Sequence, residues 1–190
     1  MTTKDSIEAL VNDYEQMIST FNPKYVVFNR QQVPPGVMLL LKVDVNVPTY
    51  VLKQNERNPI FTNGISFYIS VPEGYPETKP EVYYGNEKWL ASVNVFSNDK
   101  HVQCIDTWTK QSSLRSIAEK TLRDIIHDTS VTRYDNMATS TLATWQKSMD
   151  QKGEFPTMNP NLLFTQSVIK EPRIKESTRR SVVVMPQVRG

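Results

Sequence analysis

Two stretches with a period of two limit the folds open to this chain more than any other feature. In Val37–Val47 one face consists of Leu39, Leu41, Val43, Val45 and Val47, alternating against Lys42, Asp44 and Asn46. In Ile65–Val71 one face consists of Ile65, Phe67, Ile69 and Val71. A period of two is typical of β-strands that bury one face. Shorter β-branched and aromatic runs at Tyr25–Phe28 and Val82–Tyr84 predict two more strands. No helical pattern separates the four runs, so we expect an antiparallel meander.

A helix is predicted before these strands. Apolar residues recur there at helical spacing, Asp5 or Ser6 can cap the first turn, and Pro23 ends the helix. The predicted apolar face consists of Ile7, Leu10, Val11, Tyr14, Met17 and Ile18. Together with the strands, this helix indicates an α+β fold.

Two further helices are predicted towards the C-terminus. Ser113 can cap the first of them, and Gly153 stops the second. The first apolar face consists of Leu114, Ile117, Ala118, Leu122, Ile125 and Ile126, and the second of Met137, Leu142, Trp145 and Met149. Trp108 and Trp145 are expected to pack in the core, as large aromatic side chains usually do.

Composition excludes several classes of protein. The 190 residues suffice for one domain, or one domain with a tail, and the net charge of +2 is too small to indicate nucleic-acid binding. One cysteine and two histidines cannot form an internal disulfide or a Cys/His zinc site. The N-terminus has no apolar signal segment, and the longest apolar run, Val37–Leu41, is too short to cross a membrane. We therefore expect a soluble cytoplasmic protein without metal or cofactor.

Two segments are expected to lack regular structure. Residues 48–64 read as a connection with an irregular strand end at Tyr50–Leu52, and residues 85–112 read as one long loop. An ordered loop of that length is usually functional, and this one contains the only cysteine, Cys104. A single intracellular cysteine is most often an apolar filler, whereas a cysteine in a polar loop is a candidate nucleophile.

The residues from 153 onwards form a tail of different character. Residues 151–190 contain seven Lys or Arg against three Asp or Glu, several prolines and little periodicity. One interpretation is a solvated, partly extended strap over the domain. The other is a docking segment, in which Val182–Met185 adds as an edge strand to a partner sheet.

The order of these elements resembles the ubiquitin-conjugating enzyme family, over about residues 5–150 of a predicted domain 1–152. Phe67–Val82 is similar to the family's third strand, Tyr-Pro-x-x-x-Pro turn and fourth strand. Asn94–Asp106 is similar to the stretch from the His-Pro-Asn motif to the catalytic cysteine. Trp108, Ser113-Leu114, a helix and Asp135-Asn136 complete the likeness. The sequence departs from the family pattern at two points. Ser92 and Val93 stand in place of His-Pro, and Asn94 lies ten residues before Cys104, where eight is usual. These departures indicate a divergent member, such as one from a bacterial or viral conjugation system.

The resemblance implies a transferase that carries its cargo as a thioester on Cys104. Asn94 would steady the oxyanion, with Asn98 as its rival, or would only bond its own turn. Asp106 and Asp135 or Asn136 match positions that orient the incoming lysine, although Asp135-Asn136 can equally cap the last helix. His101 can polarise the thiol or take a proton, or be a solvated surface residue.

The same resemblance implies the partners. They are ubiquitin or a ubiquitin-like protein, an activating enzyme docked on the first helix, and a ligase or substrate protein, with neither nucleic acid nor membrane involved. The exposed face of that helix carries the acidic residues Glu8, Asp13 and Glu15 where many members are basic. Glu77 stands where many members place an aromatic residue that docks on RING-type ligases.

Two other functions remain open from the sequence. The loss of His-Pro also fits a catalytically inactive variant that binds ubiquitin-like proteins or scaffolds a complex. Retention of Cys104 with Asp106 favours the enzyme, because an inactive variant needs no thiol. A cysteine hydrolase that pairs Cys104 with His101 or His127 is less favoured, since no cysteine at a helix start is present.

Overall fold

The four predicted strands form one antiparallel sheet that follows an N-terminal helix. The computed structural model describes residues 3–53, 58–85, 88–90, 102–103, 108–109, 111–128, 140–156 and 158–165. The helices are α1 (Thr3–Thr20), α2 (Leu114–Ile125) and α3 (Ser140–Lys152), with a short 3₁₀ helix at Pro160–Leu163. The strands are β1 (Val26–Arg30), β2 (Val37–Val45), β3 (Thr49–Lys53), β4 (Ile60–Thr62), β5 (Ile65–Pro72), β6 (Glu81–Tyr83) and β7 (Lys88–Leu90). The predicted α+β class is confirmed.

The main sheet has the strand order β1-β2-β5-β6, and each pair is antiparallel. At its centre Leu41 pairs with Ile69 and Val43 pairs with Phe67. All four side chains are fully buried. The alternation in the sequence therefore corresponds to a sheet with one face in the core and the other accessible.

A second, smaller sheet was not predicted. It has the order β4-β3-β7, so the segment expected to be a connection contributes a hairpin, β3–β4, and the expected long loop contributes β7. The strand end expected at Tyr50–Leu52 lies in β3, whereas the prediction of irregular structure is wrong for β4 and β7. β4 and β7 have three residues each, too few to show alternation, and they pair with β3 and not with the strands of the main sheet.

Helix α1 packs on the core along a narrower stripe than its sequence suggested. Leu10 and Met17 are buried, whereas Ile7, Val11 and Ile18 are between 40% and 49% exposed. The buried positions lie seven residues apart, which is two helical turns, so only one edge of the predicted face meets the core. The helix already includes Thr3, so Asp5 and Ser6 lie within it and neither is its cap.

Helix α2 agrees with its predicted pattern. The Ser113 side chain accepts a hydrogen bond from the backbone N–H of Ser116 at 3.2 Å, and the Ser116 hydroxyl accepts one from the Ser113 N–H at 2.9 Å. This reciprocal capping satisfies two N–H groups that the helix leaves without partners. The predicted apolar residues Leu114, Ile117, Ala118, Leu122, Ile125 and Ile126 are all buried. Helix α3 ends as predicted at Gly153, whose φ of 66° lies in the left-handed region that favours glycine.

The chain beyond α3 returns to the core next to the end of α1. Leu163 and Phe164 are buried, and Phe164 forms an antiparallel bridge with Phe21. The two phenyl rings lie 5.5 Å apart, and the backbone N–H of Asn22 donates to the carbonyl of Leu163 at 2.8 Å. Residues 158–165 therefore complete the core. The basic part of the predicted tail, including Val182–Met185, lies outside the described residues.

We expect Leu163→Ala to lower the free energy of unfolding by about 2–5 kcal/mol, because it leaves a cavity under the 3₁₀ helix. Leu162→Ala is the matched control, since Leu162 is exposed on the same helix and its truncation should change stability by less than about 0.5 kcal/mol. Urea unfolding followed by tryptophan fluorescence measures both. Equal effects of the two variants would contradict this packing.

Candidate functional site

The predicted site residues lie in segments that the structure does not describe. These residues are Cys104, Asn94, Asp106, Asp135 and His101, together with the alternatives Asn98 and Asn136. Their roles stay predictions. The structure does describe the chain on both sides of residues 104–107, at Val102–Gln103 and at Trp108–Thr109.

The residue before Cys104 is fixed to the main sheet. Val102 forms an antiparallel bridge with Tyr83, and the backbone N–H of Gln103 donates to the carbonyl of Val82 at 2.8 Å. The short stretch Val102–Gln103 thereby extends the sheet beyond β6. This backbone hydrogen bond fixes Gln103 on the edge of the sheet.

The side chain of Gln103 is buried in a polar cluster between β6 and α2. Its Oε1 accepts from the hydroxyl of Tyr84 at 3.0 Å and from that of Thr121 at 3.3 Å. Its Nε2 donates to Asp124 Oδ2 at 3.1 Å. Gln103, Tyr84, Thr121 and Asp124 are each at most 5% exposed. We call these four residues the Gln103 cluster.

Asp124 of the Gln103 cluster also contacts a basic side chain. Asp124 Oδ2 lies 3.4 Å from the ammonium nitrogen of Lys120, which is the more exposed partner of the pair. Burial, and secondarily the negative charge of Asp124, raises the pKa of Tyr84 well above its usual range. The phenol therefore stays protonated and remains a donor to Gln103 at every physiological pH.

Trp108 fixes the chain on the other side of residues 104–107. Its indole Nε1 donates to the carbonyl of Pro76 at 2.7 Å, and its ring lies 6.0 Å from that of Tyr75. Pro76 follows a cis peptide bond in the turn between β5 and β6. Trp108 is partly buried against the core, as the sequence predicted. The chain is thus held at Gln103 by the sheet and α2, and at Trp108 by this turn.

Tyr75 connects the same turn to α1. Its ring is fully buried, and its hydroxyl donates to a carboxylate oxygen of Asp13. Asp13 is therefore part of the interior contact between helix and turn and does not belong to the solvated acidic face that the sequence suggested. Burial, together with the bond to Asp13, raises the pKa of Tyr75.

Neither models of known protein families nor curated proteins match this chain. Within the described part of the chain, no three His, Cys, Asp or Glu side chains are grouped to hold a metal ion. Among the helices of that part, none is long and apolar enough to cross a membrane.

A second polar group lies at the far end of α2. His127 Nε2 lies 2.6 Å from Asp150 Oδ1 on α3, and its ring stacks on Phe155 with centroids 3.6 Å apart. The pair borders a cavity of about 300 Å³ that Met158 and Pro160 also line. His127 thus joins α2 to the α3 region through Asp150 and Phe155.

Sequence reasoning missed the Gln103 cluster, although two signals pointed to it. Thr121 occupies a position of the apolar stripe of α2, three residues after Ala118. Gln103 stands between Val102 and Cys104 in a run that is otherwise apolar there. A polar residue in an apolar pattern indicates a buried partner.

We expect Tyr75→Phe to lower the free energy of unfolding by about 1.5–3 kcal/mol, because it removes a hydrogen bond to a carboxylate and leaves Asp13 with one donor fewer. Asp13→Asn keeps an acceptor and should cost less. Denaturant unfolding at neutral pH measures both, and Tyr14→Phe, which keeps the ring contact with Arg30, is the control.

The same bond predicts a pH dependence. Because the pKa of Tyr75 is raised in the folded protein, the unfolded chain loses this proton first as pH rises above about 10. The stability contributed by the protonated phenol is complete below that pH and declines above it. Tyr75→Phe should therefore make the alkaline decline in unfolding free energy less steep; an unchanged slope would contradict the assignment.

Proposed function

We propose that this chain is a ubiquitin-conjugating-type enzyme that carries ubiquitin or a ubiquitin-like protein as a thioester on Cys104 and transfers it to a lysine amine. The observation that carries the proposal is the fixed frame on both sides of residues 104–107. Gln103 is bonded to β6 and α2, and Trp108 to the Pro76 turn. These contacts connect the separate pieces of sequence on which the family resemblance rests.

The first step exchanges one thioester for another. The Cys104 thiolate attacks the carbonyl carbon of the thioester on the activating enzyme, a new C–S bond forms, and the activating enzyme's thiolate leaves. About a few per cent of an unperturbed thiol is ionised at neutral pH, which is enough for a good nucleophile. In this mechanism Asn94 donates to the oxyanion, and His101, three residues before Cys104, accepts the thiol proton.

The second step transfers the acyl group to nitrogen. A neutral lysine amine attacks the thioester carbon, the C–N bond forms, the C–S bond breaks, and the thiolate of Cys104 is regenerated. The nitrogen loses a proton in the process. Asp106 and Asp135 are the proposed groups at this step. A carboxylate attracts the lysine ammonium but also raises its pKa, so these groups orient the amine and accept its proton only late in the reaction.

The surface of α1 supports docking of an activating enzyme. Ile7, Val11 and Ile18 are exposed along one side of the helix, and Glu8 and Glu15 are exposed on it as well. Exposed apolar side chains rimmed by charges are typical of protein interaction surfaces. We propose that this apolar stripe contacts the activating enzyme and that the acidic rim selects a basic partner.

The direct test is thioester formation. Incubation with ATP and ubiquitin, or with members of a panel of ubiquitin-like proteins each with its own activating enzyme, should give an adduct on a non-reducing gel that a thiol reductant removes. Cys104→Ala should form none, and Cys104→Ser should form a more stable oxyester. The chain has a single cysteine, so the adduct has only one sulfur to occupy.

The alternative is an inactive variant of the same fold that only binds ubiquitin-like proteins, which the Ser92-Val93 replacement favours. It predicts binding of a panel member without any reductant-sensitive adduct. An adduct that survived thiol treatment in the wild type would contradict the thioester mechanism.

Docking through α1 is tested by one substitution. Val11→Asp should lower the rate of loading by the activating enzyme by about fivefold or more, because it places a charge in the apolar stripe. Asn12→Asp is the matched control, since it adds the same charge at an exposed position beside the acidic rim and outside the apolar stripe, and it should not lower the rate. Equal rates for the two variants would show that the stripe is not the contact.

A further inference from the structure

The Gln103 cluster sits immediately before the proposed nucleophile. Gln103 is covalently bonded to Cys104, and across a trans peptide consecutive Cα atoms are about 3.8 Å apart. The position of the Gln103 backbone therefore limits where the Cα of the next residue can lie. Gln103 has little freedom to shift, because its backbone N–H and both ends of its side-chain amide are bonded.

The donors and acceptors around position 103 match a glutamine side chain and match neither a glutamate nor an apolar side chain. Tyr84 and Thr121 approach Gln103 with hydroxyl groups, and their bonds end on Oε1. Asp124 approaches with a carboxylate oxygen, which only accepts, so it needs the amide N–H. A glutamate at position 103 would face Asp124 with a second negative charge, and an apolar residue would leave three buried polar groups without this partner.

Burying four polar side chains costs desolvation free energy that their hydrogen bonds largely only offset. Apolar side chains could fill the same space, and such replacements are often neutral or stabilising. We therefore attribute the cluster to the fixed position that its directional bonds give the backbone. The cluster joins the segment before Cys104 to two elements at once, β6 through Tyr84 and α2 through Thr121 and Asp124. That is the arrangement needed to hold a backbone in one position.

We propose that Gln103 is a positioning residue for Cys104, held by Asp124, and that the hydrogen bond between them sets the orientation in which the sulfur meets the acyl carbonyl. This role rests on the proposed acyl transfer, although the orientation of the thiol can be measured without it. The members of the cluster themselves touch no substrate in this proposal. Transfer reactions are sensitive to such placement, and errors of about 1 Å can cost up to about a hundredfold in rate.

A charge swap between Gln103 and Asp124 tests the proposal. Gln103→Glu places two carboxylates against each other and breaks the bond. Combining it with Asp124→Asn restores a donor, because the introduced asparagine amide then donates to the introduced carboxylate, while Tyr84 and Thr121 keep their acceptor. Both variants carry the same carboxylate at position 103, so a difference between them reports the hydrogen bond and not the charge added beside the sulfur.

Two rates are measured on each protein. One is alkylation of Cys104 by iodoacetamide across a range of pH, which needs no partner and is unambiguous in a chain with one cysteine. The other is discharge of the loaded thioester to free lysine, with kcat and KM determined separately. We expect Gln103→Glu to lower kcat for discharge by about tenfold or more and to alter the alkylation profile, and the swap to recover both to within about threefold of wild type.

Global stability is controlled with Leu163→Ala, a core variant outside the cluster. It should lower unfolding free energy and leave both rates at the wild-type value at temperatures where it is folded. The proposal is overturned if Gln103→Glu is folded and both rates are unchanged, if the swap is as slow as the single variant, or if Leu163→Ala is equally slow. If wild type forms no thioester with any panel member, the proposed function fails, and the alkylation arm still decides whether Gln103 positions the thiol.

Discussion

The pairing of β2 with β5 is the constraint from which the rest of this structure follows. It buries Leu41, Val43, Phe67 and Ile69 completely on one face of the sheet. A slip of one residue would turn all of these side chains to the accessible face, so the register is strongly specified. The end of β5 fixes where the Tyr75-Pro76 turn begins, the turn fixes β6, and β6 supplies the carbonyl of Val82 to which Gln103 is bonded.

Buried hydrogen bonds then fix the positions of α1 and α2, which apolar packing alone would leave variable. The core meets α2 through a non-directional apolar stripe, which by itself would tolerate small shifts of the helix. The Gln103 cluster crosses this interface with directional bonds, and the bond between Tyr75 and Asp13 does the same between the turn and α1. In each case, burying the carboxyl or the phenol is favourable only when its hydrogen-bond partner is in place. The bond therefore fixes the relative position of the two elements that it joins.

The sequence predicted those parts of the fold that depend on neighbours along the chain. The alternation of β5 and the cap and stripe of α2 are local patterns, and both are present as expected. Only the strand end at Tyr50–Leu52 of the second sheet was expected, and its partners β4 and β7 were missed because they form strands only through pairing with β3. The exposed Ile7, Val11 and Ile18 of α1 were expected to be buried, since hydrophobicity marks a face without saying how much of it the core can cover. The cysteine and its predicted partners were found through a family likeness, whereas the Gln103 cluster depends on contacts between residues about 20 positions apart and became apparent only from the structure.

The bridge between Phe21 and Phe164 has a consequence for biosynthesis. The hydrogen bonds from Asn22 and Thr165 across this junction join residues more than a hundred positions apart in the chain. While the ribosome is synthesising α2 and α3, residues 158–165 are not yet available to cover Phe21 at the end of α1. This part of the core can therefore close only after Phe164 has left the exit tunnel, because its contacts join distant parts of the chain.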